Sequence, residues 1–568
     1  MQLDPLLAPF RGQGRTALLP ALHKIQEAYG WISPDAARAV ARALSVPLAD
    51  VYGVITFYAM FYDRPAGRTI IRVCRGPICA LRGAPTLQKQ LTAHLGVEEG
   101  EPTQDQAWMV ESVPCLGLCD HAPAVLVGDQ AFGPVTQLQH PEAVLERQLP
   151  HPRPRVDGPA RRLTAHLGDA PLDLETYRAN GGYEALAGAL RQMTPKDVRE
   201  AVKAAGLWGR GGAAFPTGLK WEFAAQAPGE PKYVVCNADE SEPGTFKDRV
   251  LMEGNPHLVL EGLILAGYAV GARKGYIYVR GEYAQAYRAL EQAIEEAREA
   301  GFLGDRILGT DFTFDVELRR GAGAYICGEE TALFESIEGK RGYPRLKPPY
   351  PTTHGLFGKP TAINNVETLA NVPFIVREGP AAYRTLGTED SPGTKLFSIS
   401  GDVARPGVYE APFGITLREL LETWAGGVTG ELGAVLVGGA AGAFVPPEDI
   451  DWPLTLEEGR KRSVPIGTGT VMVFNRTRDL RTVLLNLAEF FAEESCGKCF
   501  PCQLGTQRQW EILQRLIRGE GRPADLALLQ DIGHTMAEAS ICGLGQTASM
   551  ALLSALRLWP DLFQNHGS

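Results

Sequence analysis

The sequence predicts a multidomain protein of α/β and all-α parts, and three observations carry that expectation. Its 568 residues exceed what one hydrophobic core organises, so several domains are needed. Apolar residues recur at helical spacing near both ends, whereas strand-like and helix-like runs alternate through the middle. The run Leu149-Pro-His-Pro-Arg-Pro-Arg-Val-Asp-Gly-Pro-Ala-Arg-Arg162 has the proline density and polarity of a linker.

Composition narrows the classes of function. Hydrophobic content of 45% and charged content of 21% exclude wholesale disorder. A formal net charge of -10 argues against nucleic acid as the main partner, because neutralising phosphates needs a basic surface. No stretch has the pattern of a signal peptide and no apolar run reaches the length of a membrane span, so a cytoplasmic chain without direct membrane insertion is expected. In a reducing compartment ten cysteines are not expected to form structural disulfides, and their spacing becomes the question.

Leu19, Leu22, Ile25 and Tyr29, then Val51, Val54, Phe57 and Met60, fall at helical spacing, with Ser33-Pro34 as a helix start. A helical bundle over residues 1–66 is expected. From Arg68 the pattern changes to the β-rich run Thr69 to Cys74, a helix-like segment and Ala124-Val-Leu-Val127, which predicts an α/β unit over 67–148. This unit holds Cys74 and Cys79 in C-x4-C, and Cys115 and Cys119 in C-x3-C, at or just after strand ends. Four thiolates on loops can hold a metal centre, and spacing alone leaves an iron-sulfur cluster, a zinc site and a redox disulfide open.

After a linker assigned to 149–170, strand-helix alternation predicts an α/β domain over 171–390. Its first marked stretch runs from Gly209 to Trp221. The glycines let backbone N–H groups approach a phosphate or a flat ring, while Arg210 and Lys220 supply positive charge. The letters fit G-x-G-x-x-A, but the preceding Asp197 to Gly206 is helical where a dinucleotide fingerprint needs a strand. Tyr233-Val-Val-Cys236 reads as a buried strand, His257 to Val270 as a buried core helix, and Gly275 to Arg280 as a strand before an amphipathic helix. Phe312 to Leu318 then leads into Arg319 to Leu333, where strand, glycine-rich turn and helix start follow in the order that a cofactor loop requires. Asp239, Glu240, Glu242, Glu329 and Glu330 would repel a phosphate and suit hydroxyls or a redox-linked charge; for any one of them in isolation a solvated loop or helix N-terminus is the better explanation. Cys236 and Cys327 lie in apolar runs and read as buried structural thiols.

Lys395 to Tyr409 predicts strand, turn, strand; Leu417 to Trp424 a helix; and Ala434 to Val437 a strand, together a small domain over 391–475. After Asp479, Leu480, Val483, Leu484, Leu487 and Phe490 share one face, and a helical bundle over 476–568 closes the chain. Between its helices lie Cys496, Cys499 and Cys502 in C-x2-C-x2-C, with Cys542 far downstream. One tight turn binding three corners and a distant loop binding the fourth suits a 4Fe-4S cubane, whereas zinc sites usually pair two C-x2-C units.

Leu19 to Tyr29, Val51 to Met60 and the first four cysteines resemble the thioredoxin-like 2Fe-2S subunit of the NADH dehydrogenase module of respiratory complex I, over most of residues 10–148. Gly209 to Trp221, Cys236 to Asp248, Gly323 to Ala332 and Ile363 to Thr368 resemble the flavin subunit of that module, and the C-terminal cysteines share its layout. The resemblance implies a thioredoxin-like 2Fe-2S domain, a Rossmann-like flavin and NADH domain, a β-grasp (ubiquitin-like) domain and a 4Fe-4S helical bundle. By it, FMN would be held by Gly209, Arg210, Gly211, Lys220, Asn237, Asp239, Glu240, Tyr325, Gly328, Glu329, Asn364, Asn365 and Thr368. Phe215, Phe223, Glu242, Glu330 and Lys347 would surround NADH, Tyr350 would stack on adenine, and Glu242 and Glu330 would act at the reacting centre. Ala214 departs from the family's usual glycine, and Tyr350 from its common phenylalanine.

The implied activity is a diaphorase: hydride exchange between NAD(H) and FMN, and single-electron exchange between FMN and the clusters. The implied partner is a protein with further iron-sulfur clusters and a catalytic or quinone-linked site. Fusion of the two subunits in one chain favours the β subunit of an NAD-dependent formate dehydrogenase, with an NAD-reducing hydrogenase or complex I as alternatives. A flavin-less zinc-binding scaffold is the alternative of a different class.

Overall fold

The computed structural model describes residues 2–136, 140–168 and 170–563. Met1, Asp169 and 564–568, which fall within the expected N-terminal bundle, linker and C-terminal bundle, lie outside the described residues, as do 137–139.

The N-terminal helices are Leu18–Tyr29, Pro34–Leu44 and Leu48–Ile55. Ser33 caps the second as its sequence predicts: its hydroxyl accepts from the Ala36 N–H at 3.1 Å, with Pro34 in the first turn. The apolar face of these helices is continuous with the core of the large α/β domain. Backbone pairing fastens the join, since Ala59 and Met60 donate to the carbonyls of Gly323 and Ala322.

In the small α/β domain, β1 (Thr69–Cys74) pairs with parallel β2 (Trp108–Val113) and antiparallel β3 (Val125–Val127), and β4 (Gln130–Phe132) adds the edge. The segment expected to be a linker is held instead. Its Val156–Asp157 (β5) joins a later sheet beside Val408 and Tyr409, and Leu163 and Thr164 are buried. The cause is Glu410, whose fully buried carboxylate needs donors and accepts from the Leu163 and Thr164 N–H groups and the Thr164 and Thr394 hydroxyls.

The large domain is built on four parallel strands, β6 (Tyr233–Ala238), β7 (Lys274–Val279), β8 (Asp315–Arg320) and β9 (Thr361–Asn365), in spatial order β8-β7-β6-β9. The order reverses between β6 and β9, and the crevice above their carboxyl ends is where such sheets bind ligands. The buried helix Pro256–Val270 packs beneath the sheet as its apolar run predicts. A mixed six-stranded sheet follows from β10 (Thr394–Gly401), β11 (Gly407–Pro412), β12 (Leu432–Val437), β13 (Ala443–Val445) and β14 (Thr470–Asn475), with β5 at its edge. The helix expected over Leu417 to Trp424 is present, wound as a wider π-helix from Glu419. Helices from Leu480–Glu494 to Met550–Leu558 close the chain.

The mixed sheet docks on the large domain through Glu367, just beyond β9. Its carboxylate, with no exposure, pairs with Lys247 at 2.8 Å and with Lys395 of β10, and accepts from the Leu396 N–H at 2.8 Å. Burial opposes its ionisation, but the two ammonium groups more than offset this and hold its pKa below the usual carboxylate range. Glu367→Gln leaves two lysines buried without their shared anion, and is expected to cost about 3–5 kcal/mol. The check is the thermal unfolding midpoint, and an unchanged midpoint would show that the triad contributes nothing.

Candidate functional site

Above the β6/β9 switch point lies a cavity of about 450 Å3. The loop after β6 supplies Asn237, Asp239, Glu240 and Glu242; the turn after β8 supplies Tyr325, Gly328 and Glu329; the end of β9 supplies Asn365; and the glycine-rich loop supplies Gly211 to Ala213. These positions, far apart in sequence, meet because parallel strands deliver all their following loops to one edge.

Hydrogen bonds fix the walls. Asn237 Nδ2 donates to the Gly328 carbonyl at 2.8 Å, tying two loops together. Glu240 accepts from the N–H groups of Asp248 and Arg249 at 2.8 and 2.9 Å and so caps the helix Lys247–Gly254. Glu242 accepts from the Tyr325 hydroxyl and from the Ala441 N–H at 2.8 Å, so the mixed-sheet domain holds this carboxylate in place. A Cβ on Gly439 would stand 2.6 Å from Glu242 Cγ, which leaves room there only for glycine. Tyr325 is fixed from behind by Glu494 of the C-terminal bundle, which accepts its N–H at 3.0 Å.

Several expected site residues take other positions. The Arg210 guanidinium points into the domain junction, donating to Tyr383 Oη and the Pro392 carbonyl at 2.9 and 3.0 Å and stacking on Phe413, while its N–H donates to Thr368. Lys220 Nζ donates to the Ile363 carbonyl at 3.0 Å, and burial lowers its pKa. One nitrogen of Arg210 and one N–H of Lys220 are thus committed, while among the described residues Arg210 Nε and Nη1 are buried without a partner. Asn364 accepts from Trp221 Nε1 at 2.7 Å, because successive strand residues face opposite ways and only Asn365 reaches the cavity. Gly209 closes the base of its loop by donating to the Phe215 carbonyl. Glu330 and Glu329 both pair with Lys347, at 2.6 and 2.9 Å. Phe215, Phe223 and Tyr350 stand 42%, 46% and 59% exposed, large apolar surfaces open to solvent. Ala214 sits at φ +49°, in the left-handed region that the family's usual glycine occupies without strain.

Thr245, Asp248, Ile326, Gly438, Ala441, Pro465, Gly467, Thr468, Gly543 and Leu544 also line the cavity and were not expected from sequence. Most are small or apolar and come from two later domains, so no local pattern announces them.

The C-terminal cysteine set adjoins this cavity, and the N-terminal set is strapped to the domain that holds it. Cys496, Cys499, Cys502 and Cys542 line one small cavity of their own, whose wall includes Ile326 and Leu544, and both residues also line the large cavity. Cys74, Cys79, Cys115 and Cys119 are all buried, near enough for each to influence a neighbour's ionisation. Their loop is strapped to the large domain by Arg280, which donates to the carbonyls of both Cys115 and Glu240 at 2.7 and 2.8 Å, and by Arg249, which donates to Gly117 O at 3.1 Å. Gly117 is at φ +64°, and a Cβ there would strike Tyr283 Oη. Cys236 and Cys327 are buried, as expected.

Comparison with known proteins decides between cluster, zinc and disulfide. Four family descriptions match in chain order: thioredoxin-like [2Fe-2S] ferredoxin over 5–147, Nuo51 FMN-binding domain over 202–374, SLBB domain over 396–437, and NADH-ubiquinone oxidoreductase-F iron-sulfur binding region over 482–566. The NAD-reducing hydrogenase HoxS subunit alpha of Cupriavidus necator is 36% identical over 575 residues, covering 99% of this chain and 94% of that one. The chain belongs to the fused NADH dehydrogenase modules. An NADH-quinone oxidoreductase subunit of Aquifex aeolicus is 47% identical over 396 residues, 69% of this chain and 91% of its own. A chain of the NAD+-reducing [NiFe]-hydrogenase in the H2-reduced state superposes with a TM-score of 0.87 at 35% identity, over 98% of this chain and 94% of that one. The module is thus an NADH dehydrogenase-type oxidoreductase with FMN, a 2Fe-2S and a 4Fe-4S centre, using NAD(H). The residues present fit these groups: the large cavity has the size of a cofactor site, a Cβ on Gly211 would press on Asn365 at 3.0 Å, the C-terminal four cysteines line one cavity, and the N-terminal four are buried thiols of one small domain. Among the described residues no helix is long and apolar enough to cross a membrane.

Burial raises the pKa of Asp239 from 3.8 to about 7 and of Glu242 from 4.5 to about 7. Between those limits the folded chain holds more protons than the unfolded one, so stability is full below about pH 4 at these groups and falls as pH rises to about 7. Other carboxylates with lowered pKa values act in the opposite direction, so the check is the difference between thermal melts of flavin-free wild type and Glu242→Gln across this range, with the variant lacking the fall that Glu242 contributes. An identical slope in the variant would place Glu242 in contact with water.

Proposed function

We propose that this module is the NAD(H)-facing diaphorase subunit of a multisubunit redox enzyme, passing electrons between NAD(H) and a partner protein through the 4Fe-4S centre. The observation that carries the route is the shared wall: Ile326 and Leu544 separate the large cavity from the four cysteines, and Leu544 lies two residues after Cys542. Bound FMN supplies the conversion between two-electron exchange with NAD(H) and one-electron exchange with iron-sulfur centres.

This chain's residues bind, orient and exclude water. Gly211, Asn237, Asp239, Glu240, Tyr325, Gly328, Glu329 and Asn365 form the flavin wall that the cavity supports. Gly209, Arg210, Asn364 and Thr368 act behind it, by holding the loop and strand that carry the wall. Glu242, with Glu330 and Lys347 beside it in the family's nucleotide site, positions the nicotinamide end, and the exposed rings of Phe215, Phe223 and Tyr350 offer stacking surface for the nucleotide. Lys220, close enough to Glu330 and Lys347 to feel both charges, belongs with this group. Cys74, Cys79, Cys115 and Cys119 hold the 2Fe-2S centre; Cys496, Cys499, Cys502 and Cys542 hold the 4Fe-4S centre.

The partner carries the second substrate. A match along nearly the whole chain to a hydrogenase subunit favours an NAD-reducing hydrogenase, while formate dehydrogenase rests on the fused layout alone. NAD reduction by the purified complex with dihydrogen or with formate separates the two.

Cys499→Ser tests the route. It is expected to leave NADH oxidation by ferricyanide, which drains the flavin directly, within about twofold of wild type, while partner-linked turnover falls by at least about a hundredfold. Cys115→Ser should do less harm to partner-linked turnover. The reverse pattern would make the N-terminal 2Fe-2S domain the exit.

A further inference from the structure

Arg210 commits Nη2 to Tyr383 and Pro392 and Lys220 commits one N–H to Ile363, and the phosphate of FMN has acceptor capacity for donors beyond these two cations. Where Gly211 and Gly212 meet the mixed-sheet domain, the facing residues are Gly467 and Thr468; a Cβ on Gly212 would stand 3.9 Å from each. Among the described residues no acceptor is bonded to the N–H groups of Gly211, Gly212, Ala213, Gly467 or Thr468, and all five residues line the cavity. Unpaired N–H groups gathered on a concave backbone are an anion site.

Beside them lie three hydroxyls in mutual contact: Thr245 to Thr470 at 2.6 Å, Thr245 to Thr468 at 2.8 Å and Thr468 to Thr470 at 3.0 Å. Thr470 and Thr245 are buried, whereas Thr468 is partly open, and Thr245 and Thr468 line the cavity. Each hydroxyl has one proton to donate. If Thr470 donates to Thr245 and Thr245 to Thr468, every buried hydroxyl is satisfied and the Thr468 proton is left to point outward. Each link polarises the next, which strengthens the final donor. The acids that line the cavity near this end are each held by the protein: Asp248 is paired with Lys247 at 2.8 Å and accepts from Asn365, Glu240 accepts from two N–H groups, and Glu242 accepts from Tyr325 and the Ala441 N–H.

We propose that Thr468, backed by Thr245 and Thr470, donates to the phosphate of FMN, so that the mixed-sheet domain supplies part of the flavin site. This rests on the flavin cavity described above and names the end at which the phosphate lies. It also gives the domain interface a ligand-dependent role, because the phosphate bridges a loop of each domain.

The test compares FMN with riboflavin, which lacks the phosphate, on the deflavinated full-length chain by quenching of flavin fluorescence. Thr468→Val, which keeps shape and removes the hydroxyl, is expected to weaken FMN binding at least about tenfold, or about 1.4 kcal/mol, and riboflavin binding by less than about twofold. Thr468→Ser should restore the FMN preference. Equal weakening of both flavins by Thr468→Val, or none of either, overturns the assignment. Wild-type protein that fails to bind FMN more tightly than riboflavin overturns it too, and in that case the phosphate end of the flavin reading falls with it.

Discussion

One buried carboxylate, Glu367, fastens the two sheets between which the cavity opens. Lys247 comes from the helix after the β6 loop and Lys395 from β10, so the anion they share locks three elements from two domains. Lys247 also pairs with Asp248, and Asp248 accepts from the side chain of Asn365 on the cavity floor. The chain of contacts runs from the domain interface to the cofactor wall without a break. In a low-dielectric interior such a network is stable only when complete, so docking of the mixed sheet and shaping of the floor occur together.

The two cysteine sets are joined to the large domain by different physical means. The 2Fe-2S loop is held by polar straps: Arg280 and Arg249, buried at 4% and 2% exposure, donate to its backbone carbonyls, and Arg280 donates to the flavin-side loop as well. The 4Fe-4S cysteines meet it through an apolar wall, with Tyr325 packed on Phe490 and tethered to Glu494. A polar strap fixes distance and registers two domains; an apolar partition keeps water out and leaves little protein between two redox sites.

The fold was largely legible in the sequence, because strand runs such as Tyr233 to Cys236, the cap Ser33-Pro34 and the apolar helix ending at Val270 are local signals. The cysteine sets were legible from spacing and resemblance together. Less legible was the direction of side chains. Arg210 and Lys220 look like phosphate ligands beside glycines, and three-dimensional context adds a tyrosine, a ring and carbonyls that take up part of their donor capacity. Asn364 and Asn365 look equivalent until strand alternation separates them. The supposed linker escaped because proline content describes local stiffness, not the donors that Glu410 needs more than two hundred residues later. Thr468 and Ala441 had no local mark, since their role depends on domain docking.

The proposed electron route depends on one cavity at the β6/β9 switch point receiving the flavin, with only Ile326 and Leu544 parting it from the 4Fe-4S centre. A cryo-EM or crystal structure of the fully loaded chain measures this most directly. Planar density is expected between Gly211 to Ala213 and Tyr325, with cluster density at Cys496, Cys499, Cys502 and Cys542 immediately beyond those two side chains. Flavin density outside this cavity, or further layers of protein between flavin and cluster, would contradict the route.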